Sequence, residues 1–167
     1  LDQTFTLHSR PGSKRTIYLN FKGATLSNTA WNTPTSPTIT ALPFDTDGVP
    51  YSFSTAELER IQYIWQRVAE DFAPFDGVAY LGVFDNTSDY NKPALVFYDM
   101  LGSGNEKYVA EAASHEAGHN VGLHHDGTST QGYYTGHGTG ATGWAPIMGV
   151  GYYQSLVQWS KGEYPGA

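Results

Sequence analysis

Residues 115–126 constrain this chain more than any other stretch. They read His-Glu-Ala-Gly-His-Asn-Val-Gly-Leu-His-His-Asp, so that His115, Glu116, His119, Gly122 and His125 stand at fixed offsets. In a helix, residues i and i+4 lie one above the other on one face. His115 and His119 therefore point the same way, close enough to share one metal ion. Glu116, the next residue after His115, is turned about 100° round the axis. It is badly placed to join the stack as a ligand and well placed to reach a water on the metal. A third ligand has to come from beyond the helix, so the chain must turn back. Gly122 stands where that turn is needed, because glycine enters left-handed backbone conformations at little steric cost. His125 follows three residues later. Three histidines and an open fourth position form a catalytic zinc arrangement, whereas a structural zinc site is closed by four protein ligands. The spacing H-E-x-x-H-x-x-G-x-x-H thus predicts one catalytic Zn²⁺, with Glu116 as its acid–base partner.

The whole chain sets looser bounds. Its 167 residues suffice for one domain with a real core and fall short of two comfortable ones. A formal net charge of −7 argues against nucleic acid or an anionic membrane surface as partner. There is no cysteine, hence no disulfide and no thiolate ligand. No stretch is long and apolar enough to span a bilayer. Leu1–Arg10 lacks the basic-then-apolar order of a signal peptide, which fits a processed mature form or a cytosolic protein.

Along the chain, Thr16–Phe21 alternates like a strand after the turn-prone Arg10-Pro11-Gly12-Ser13. Residues 23–53 are rich in Thr, Ser, Pro and Asn and read as a long surface excursion. Within it, Asp45-Thr46-Asp47-Gly48 reads as a plain turn; a Ca²⁺ loop needs more oxygen ligands at set spacing, so calcium binding stays open. Ser54-Thr55-Ala56-Glu57 is a capping box that opens a first helix. Leu58, Ile61, Ile64, Trp65, Val68 and Phe72 give that helix its apolar stripe, and Pro74 ends it. Gly77–Phe84 reads as a strand, and Ala94–Tyr98 as a strand buried on both faces. Asn105 caps a second helix that runs to about Val121. After Asp126 the glycine-rich, aromatic sequence predicts irregular but packed loop. Trp144–Gly149 suggests a tight turn with an apolar tip, and Leu156–Tyr164 a short final helix with Trp159 on its inner face.

At residues 115–126 and at Met148 the chain resembles the metzincin clan of zinc metalloendopeptidases, whose glycine turn swings the third histidine onto zinc above a methionine turn. Ala145-Pro146-Ile147-Met148 looks like that turn. With Asp126 after the third histidine, the motif is similar to the adamalysin (reprolysin) branch, in which that aspartate ties the site to the chain near the methionine turn. The missing cysteines point to a bacterial relative, and the short interval from Phe72 to Gly77 to a reduced one or to a segment missing at Asp76-Gly77. The resemblance implies an α/β (α+β) domain over 1–167: a twisted mixed sheet and two long helices above a zinc cleft (1–122), then a small irregular subdomain ending in a short helix (123–167). It implies a secreted, monomeric endopeptidase acting on peptide or protein substrates. The substrate would lie along an edge strand near Gly82 and Val83, with a specificity pocket walled by Tyr152 and Tyr153. Some metzincins carry a zinc-reaching tyrosine two residues after the methionine. Here that residue is Val150, and no tyrosine ligand is assigned.

Several residues have blander readings. His124, beside the third ligand, points elsewhere, and His137 reads as a hydrogen-bonded loop histidine. Asp126 could accept a proton from a zinc-bound imidazole, or hold the loop as the resemblance implies. Two rival functions use the same residues: a zinc hydrolase of a non-peptide acyl or amide substrate, and a non-catalytic peptide-binding module. Activity on casein or a quenched peptide separates them.

Overall fold

A computed structural model describes residues 1–9, 16–73, 90 and 92–167. It is a small mixed α+β protein with two helices and small sheets. Among the described residues the regular elements are strands β1 (Ala24–Ser27) and β2 (Thr38–Ala41), helix α1 (Thr55–Asp71), helix α2 (Glu106–Asn120), and strands β3 (Trp144–Pro146) and β4 (Leu156–Gln158). None of these helices is long and apolar enough to cross a membrane.

Helix α1 begins where its capping box places it. Ser54 is the N-cap, its hydroxyl accepts from the Glu57 amide, and the Glu57 carboxylate returns to the Ser54 amide at 2.9 Å. The helix ends at Asp71 with Phe72 as C-cap, ahead of Pro74. Ile61, Ile64 and Val68 are buried along one stripe, while Leu58, Trp65 and Phe72 are half-buried at its margins. Helix α2 begins after a turn through Gly102, Ser103 and Gly104, all at positive φ. Asn105 caps it, accepting from the amides of Lys107 and Tyr108. Its residues Val109 and Ala110 join Phe44, Ile61, Ile64 and Val68 in the main core. Burying each large aliphatic side chain there contributes about 1.5–3 kcal/mol. The small Ala110, fully buried, lets the two helices approach closely.

Two expected strands, the expected mixed sheet, the surface excursion and one expected helix are revised by the structure. Thr16–Phe21 forms no regular strand, yet Ile17, Leu19 and Phe21 are half-buried while the residues between are exposed. The alternation is real in burial, and Leu19 and Phe21 pack on the core. A strand also needs ladder partners, and among the described residues the one main-chain bond along this stretch runs from Phe44 N to Phe21 O at 2.9 Å. Ala94–Tyr98 is likewise irregular and only half-buried, with Phe97 exposed. It ends in a 3₁₀ turn at Tyr98–Met100 instead of continuing as a buried strand. The expected twisted mixed sheet is therefore replaced, among the described residues, by two separate two-stranded sheets. Residues 23–53 are more than a surface excursion. Thr25, Thr38, Ile39 and Thr40, β-branched and suited to a pleated surface, pair in an antiparallel β1–β2 ladder, and Phe44 enters the core. The expected strand at Gly77–Phe84 lies outside the described residues.

The C-terminal helix is also absent. Leu156–Gln158 instead runs parallel to Trp144–Pro146, with Ala145 opposite Val157. Gly162, at φ +86°, cannot sit in a right-handed helix, and what precedes it is too short to nucleate one alone. The strand pair carries a second apolar cluster of Ile147, Met148 and Val157, with Leu123 and Trp159 against it. Trp144–Gly149 is thus a short strand followed by the expected turn, closed from Gly149 N to Pro146 O at 3.0 Å. Trp159 fastens this cluster to α1: its indole donates to the Asp71 carbonyl, and its ring meets Phe72 edge-on at 5.1 Å.

Candidate metal centre

The centre is assembled from the last turn of α2 and the chain that follows it. Helix α2 stops in a Schellman arrangement: Leu123 N donates to Gly118 O at 3.0 Å and Gly122 N to His119 O at 2.9 Å. Gly122 sits at φ +92°, the left-handed conformation that the turn requires. His125 is thereby returned to His115 and His119. One nitrogen from each ring lies within 4.8 Å of the others, and His119 Nε2 is 3.0 Å from His125 Nε2.

Hydrogen bonds settle which nitrogens face inward. His115 Nδ1 is 2.8 Å from Ile147 O, and His119 Nδ1 is 2.8 Å from Leu123 O. A carbonyl only accepts, so both Nδ1 atoms carry the proton and both Nε2 atoms are left with a lone pair. The His119 lone pair then points at His125 Nε2 across 3.0 Å, a contact that calls for a proton or a cation between the rings. Ligands at about 2.0–2.1 Å from a tetrahedral zinc lie about 3.4 Å from one another. The observed spacing brackets that value, and neutral imidazoles anchored through Nδ1 are the usual metal donors. The three histidines are positioned to bind a metal ion.

Electrostatics agrees. Burial pushes the His115 imidazole down, a proton on His119 would add to this, and the Ile147 bond and the Glu116 charge pull the other way. His125 is also pushed down, by what burial it has and then by the charges of His119 and His115. Both therefore favour the neutral, ligating form. Glu116, half-buried and next to His115 in α2, contributes its charge at His115, His125 and Tyr152. Burial pushes the Tyr152 phenol up, and the Glu116, Glu111, Tyr133 and Tyr153 charges reinforce it.

The surrounding residues are placed as follows. Met148 is buried against α2, and a Cβ at Gly118 would lie 2.5 Å from its sulfur. Gly118, the earlier of the two motif glycines, thus makes room for the methionine. Asp126 links the third-ligand segment to the turn through its main chain, Asp126 N donating to Met148 O at 2.9 Å. Its carboxylate bonds neither imidazole; among the described residues Oδ2 is buried without a hydrogen-bond partner, and burial pushes the group up, while the Tyr164 hydroxyl, which donates to Gly127 O at 2.7 Å, pulls it the other way. Tyr152 is half-buried and Tyr153 exposed; Tyr108 of α2 packs against both, at 5.3 and 6.0 Å. Lys107 donates to the carbonyls of Gly151 and Tyr152 and is itself paired at 3.4 Å with buried Glu111, whose same oxygen holds Arg67 of α1 at 2.9 Å. Gly82 and Val83 lie outside the described residues. His124 is exposed, and His137 Nδ1 meets the Tyr134 hydroxyl at 2.9 Å, away from the three histidines.

Two participants carry no sequence signal. Tyr133 packs on the His125 ring, and nothing in a run of glycines and tyrosines separates it from Tyr134. Ser114, fully buried one residue before His115, donates to Asp71 of α1. Asp45 Oδ1 caps its own loop, accepting from the amides of Asp47, Gly48 and Val49, as the plain-turn reading requires. Asp45, Asp47 and Glu57 also converge, but both Glu57 oxygens already accept from the Thr46 and Ser54 amides. Comparison with protein-family models, curated proteins and solved structures gave no match to this chain.

Proposed function

We propose that this chain is a zinc-dependent endopeptidase of metzincin type, with His115, His119 and His125 holding the zinc and Glu116 serving as general base and acid. The observation that carries the reading is the convergence of three imidazoles, two of them already oriented by carbonyl groups. When bound, zinc supplies Lewis acidity, lowering the pKa of a water toward neutrality and polarising a substrate carbonyl.

The rest falls to the chain's own side chains. Glu116 takes a proton from the attacking water and returns it to the leaving amine. The Ile147 and Leu123 carbonyls keep two rings in their ligating tautomer. Tyr152, which feels the Glu116 charge and is backed by Tyr108, would wall the place where a substrate side chain sits, with Tyr153 at its rim. An extended peptide would pair with main-chain groups near Gly82 and Val83, a mode that recognises peptides in general and leaves selection to the pocket. The substrate is a peptide or protein met outside the cell by a monomer.

One assay on three samples tests this: native protein, chelated protein and Glu116→Ala. The expected result is a single bound zinc per chain, with casein cleavage abolished by chelator and by the substitution, and zinc retained in the variant. Zinc without peptide cleavage would turn the reading to a hydrolase of non-peptide amides or esters. Near-normal turnover by Glu116→Ala with zinc bound would remove Glu116 as the base.

A further inference from the structure

His125 differs from the other two histidines. His115 and His119 are each oriented by an Nδ1 bond to a carbonyl. His125 is exposed, and among the described residues its ring makes no such bond; its one polar contact is the Nε2 approach to His119. What lies against it is Tyr133, with ring centroids 4.2 Å apart and planes at 37°. The same tyrosine runs nearly parallel to His115, at 6.2 Å and 29°.

The main chain fixes this placement. Tyr134 N donates to Asp126 O at 2.7 Å, and Tyr134 O accepts from Val150 N at 3.0 Å. The residue after Tyr133 is therefore pinned between the third-ligand segment and the loop after Met148. The Tyr134 side chain goes the opposite way, buried, stacked on Tyr164 at 4.4 Å and bonded to His137. With Tyr134 committed to that side, Tyr133 is delivered onto His125.

We propose that Tyr133 is the positioning residue of the third histidine, its ring face supplying the orientation that carbonyl hydrogen bonds supply to His115 and His119. The inference rests on the metal reading above. An exposed imidazole turning freely about its side-chain bonds presents Nε2 to the site only part of the time, and ordering it on binding costs entropy. A ring packed on it removes those alternatives in advance. The flat ring does this work, so the phenol oxygen is dispensable for it.

The test is zinc affinity, read by competition with a chromophoric chelator, for Tyr133→Phe and Tyr133→Ala in the native and His125→Ala backgrounds. Tyr133→Ala is expected to bind zinc about tenfold more weakly, the low end of what losing a ligand-orienting partner costs. Tyr133→Phe should match the native protein. In the His125→Ala background, Tyr133→Ala should have no further effect, because the ring it orients is gone. A general structural role would weaken zinc equally in both backgrounds, and that result overturns the proposal. So does native affinity in Tyr133→Ala; in either case the metal reading stands. If the native chain takes no zinc, both fall. Tyr133 is 43% exposed, so its truncation spares the core. Should Tyr133→Ala nevertheless fail to fold, Tyr133→Leu keeps apolar bulk without a flat face and carries the same expectation.

Discussion

Ser114 donates its hydroxyl to Asp71 Oδ2 at 2.7 Å, joining α2 to α1 one residue before His115. Burial pushes the Asp71 carboxyl up to about 6; the Ser114 bond and the Arg67 charge pull it down, and Glu111 and Glu70 push it further up. The folded state thus holds this proton more tightly than the unfolded chain. Between pH 6 and the ordinary carboxylate range of about 4, the native form binds more protons, so Asp71 makes stability rise as pH falls through that window. Asp71→Asn keeps an acceptor for Ser114 and removes the titration. Urea unfolding of both forms at pH 5 and pH 8 should show the variant gaining about 1 kcal/mol relative to native at the higher pH, a figure discounted for the solvent that reaches the group.

Glu57 runs the other way. Burial pushes its carboxyl up, but bonds from the Thr46 amide and from Ser54 outweigh it, and the net direction is down. Its contribution is complete above the ordinary carboxylate range and is lost as pH falls through the depressed folded value. Glu57 is 1% exposed and joins the 46–48 turn to the start of α1. Glu57→Ala is expected to cost about 2–3 kcal/mol, combining a lost cap with buried amides left unpaired. Denaturant midpoints at neutral pH measure it.

Metal removal should register as stability. A ligand that binds only the folded state stabilises it by mass action, about 2.7 kcal/mol at a hundredfold excess over Kd. Added zinc should raise the thermal midpoint of chelated protein. His119→Ala should erase that rise while leaving the chelated midpoint nearly unchanged. A zinc-induced rise that survives in His119→Ala would place the metal elsewhere.

The two motif glycines should fail differently. Gly122→Ala puts a Cβ on a residue at φ +92° and is expected to cost about 1 kcal/mol or more. Its effect on zinc affinity should be larger than its effect on folding, because the turn returns His125. Gly118→Ala drives a methyl to 2.5 Å from the Met148 sulfur and should cost about 1–3 kcal/mol by overpacking. Paired denaturation and zinc titration of both variants distinguish the two modes.

The helices and the histidine cluster were legible because their signals are local. Ser54 and Glu57 meet within one turn, Asn105 caps amides two and three residues on, and the 115–125 spacing turns back at Gly122. What was not legible depends on distant partners. Thr16–Phe21 has the alternation of a strand, and its burial obeys it, but no sequence period supplies the neighbour that a ladder requires. Leu156–Gln158 has apolar residues enough for a helix, and pairing with Trp144–Pro146 decides otherwise. Asp71 and Ser114 are far apart in sequence, and neither type announces a partner. Tyr133 and Tyr134 are identical neighbours whose opposite facing is set by main-chain bonds to Asp126 and Val150.

Those main-chain bonds have an implication for how the site could change over generations. Asp126 N to Met148 O, Tyr134 N to Asp126 O and Val150 N to Tyr134 O lace three segments together through peptide groups alone. A peptide group is indifferent to the side chain it carries, proline at a donor excepted. Substitutions at 126, 134, 148 and 150 can therefore erode packing and chemistry while the lacing that brings His125 back persists. The frame of the centre is heritable separately from its lining, so one lineage could re-tune the aromatic walls without first rebuilding the histidine cluster.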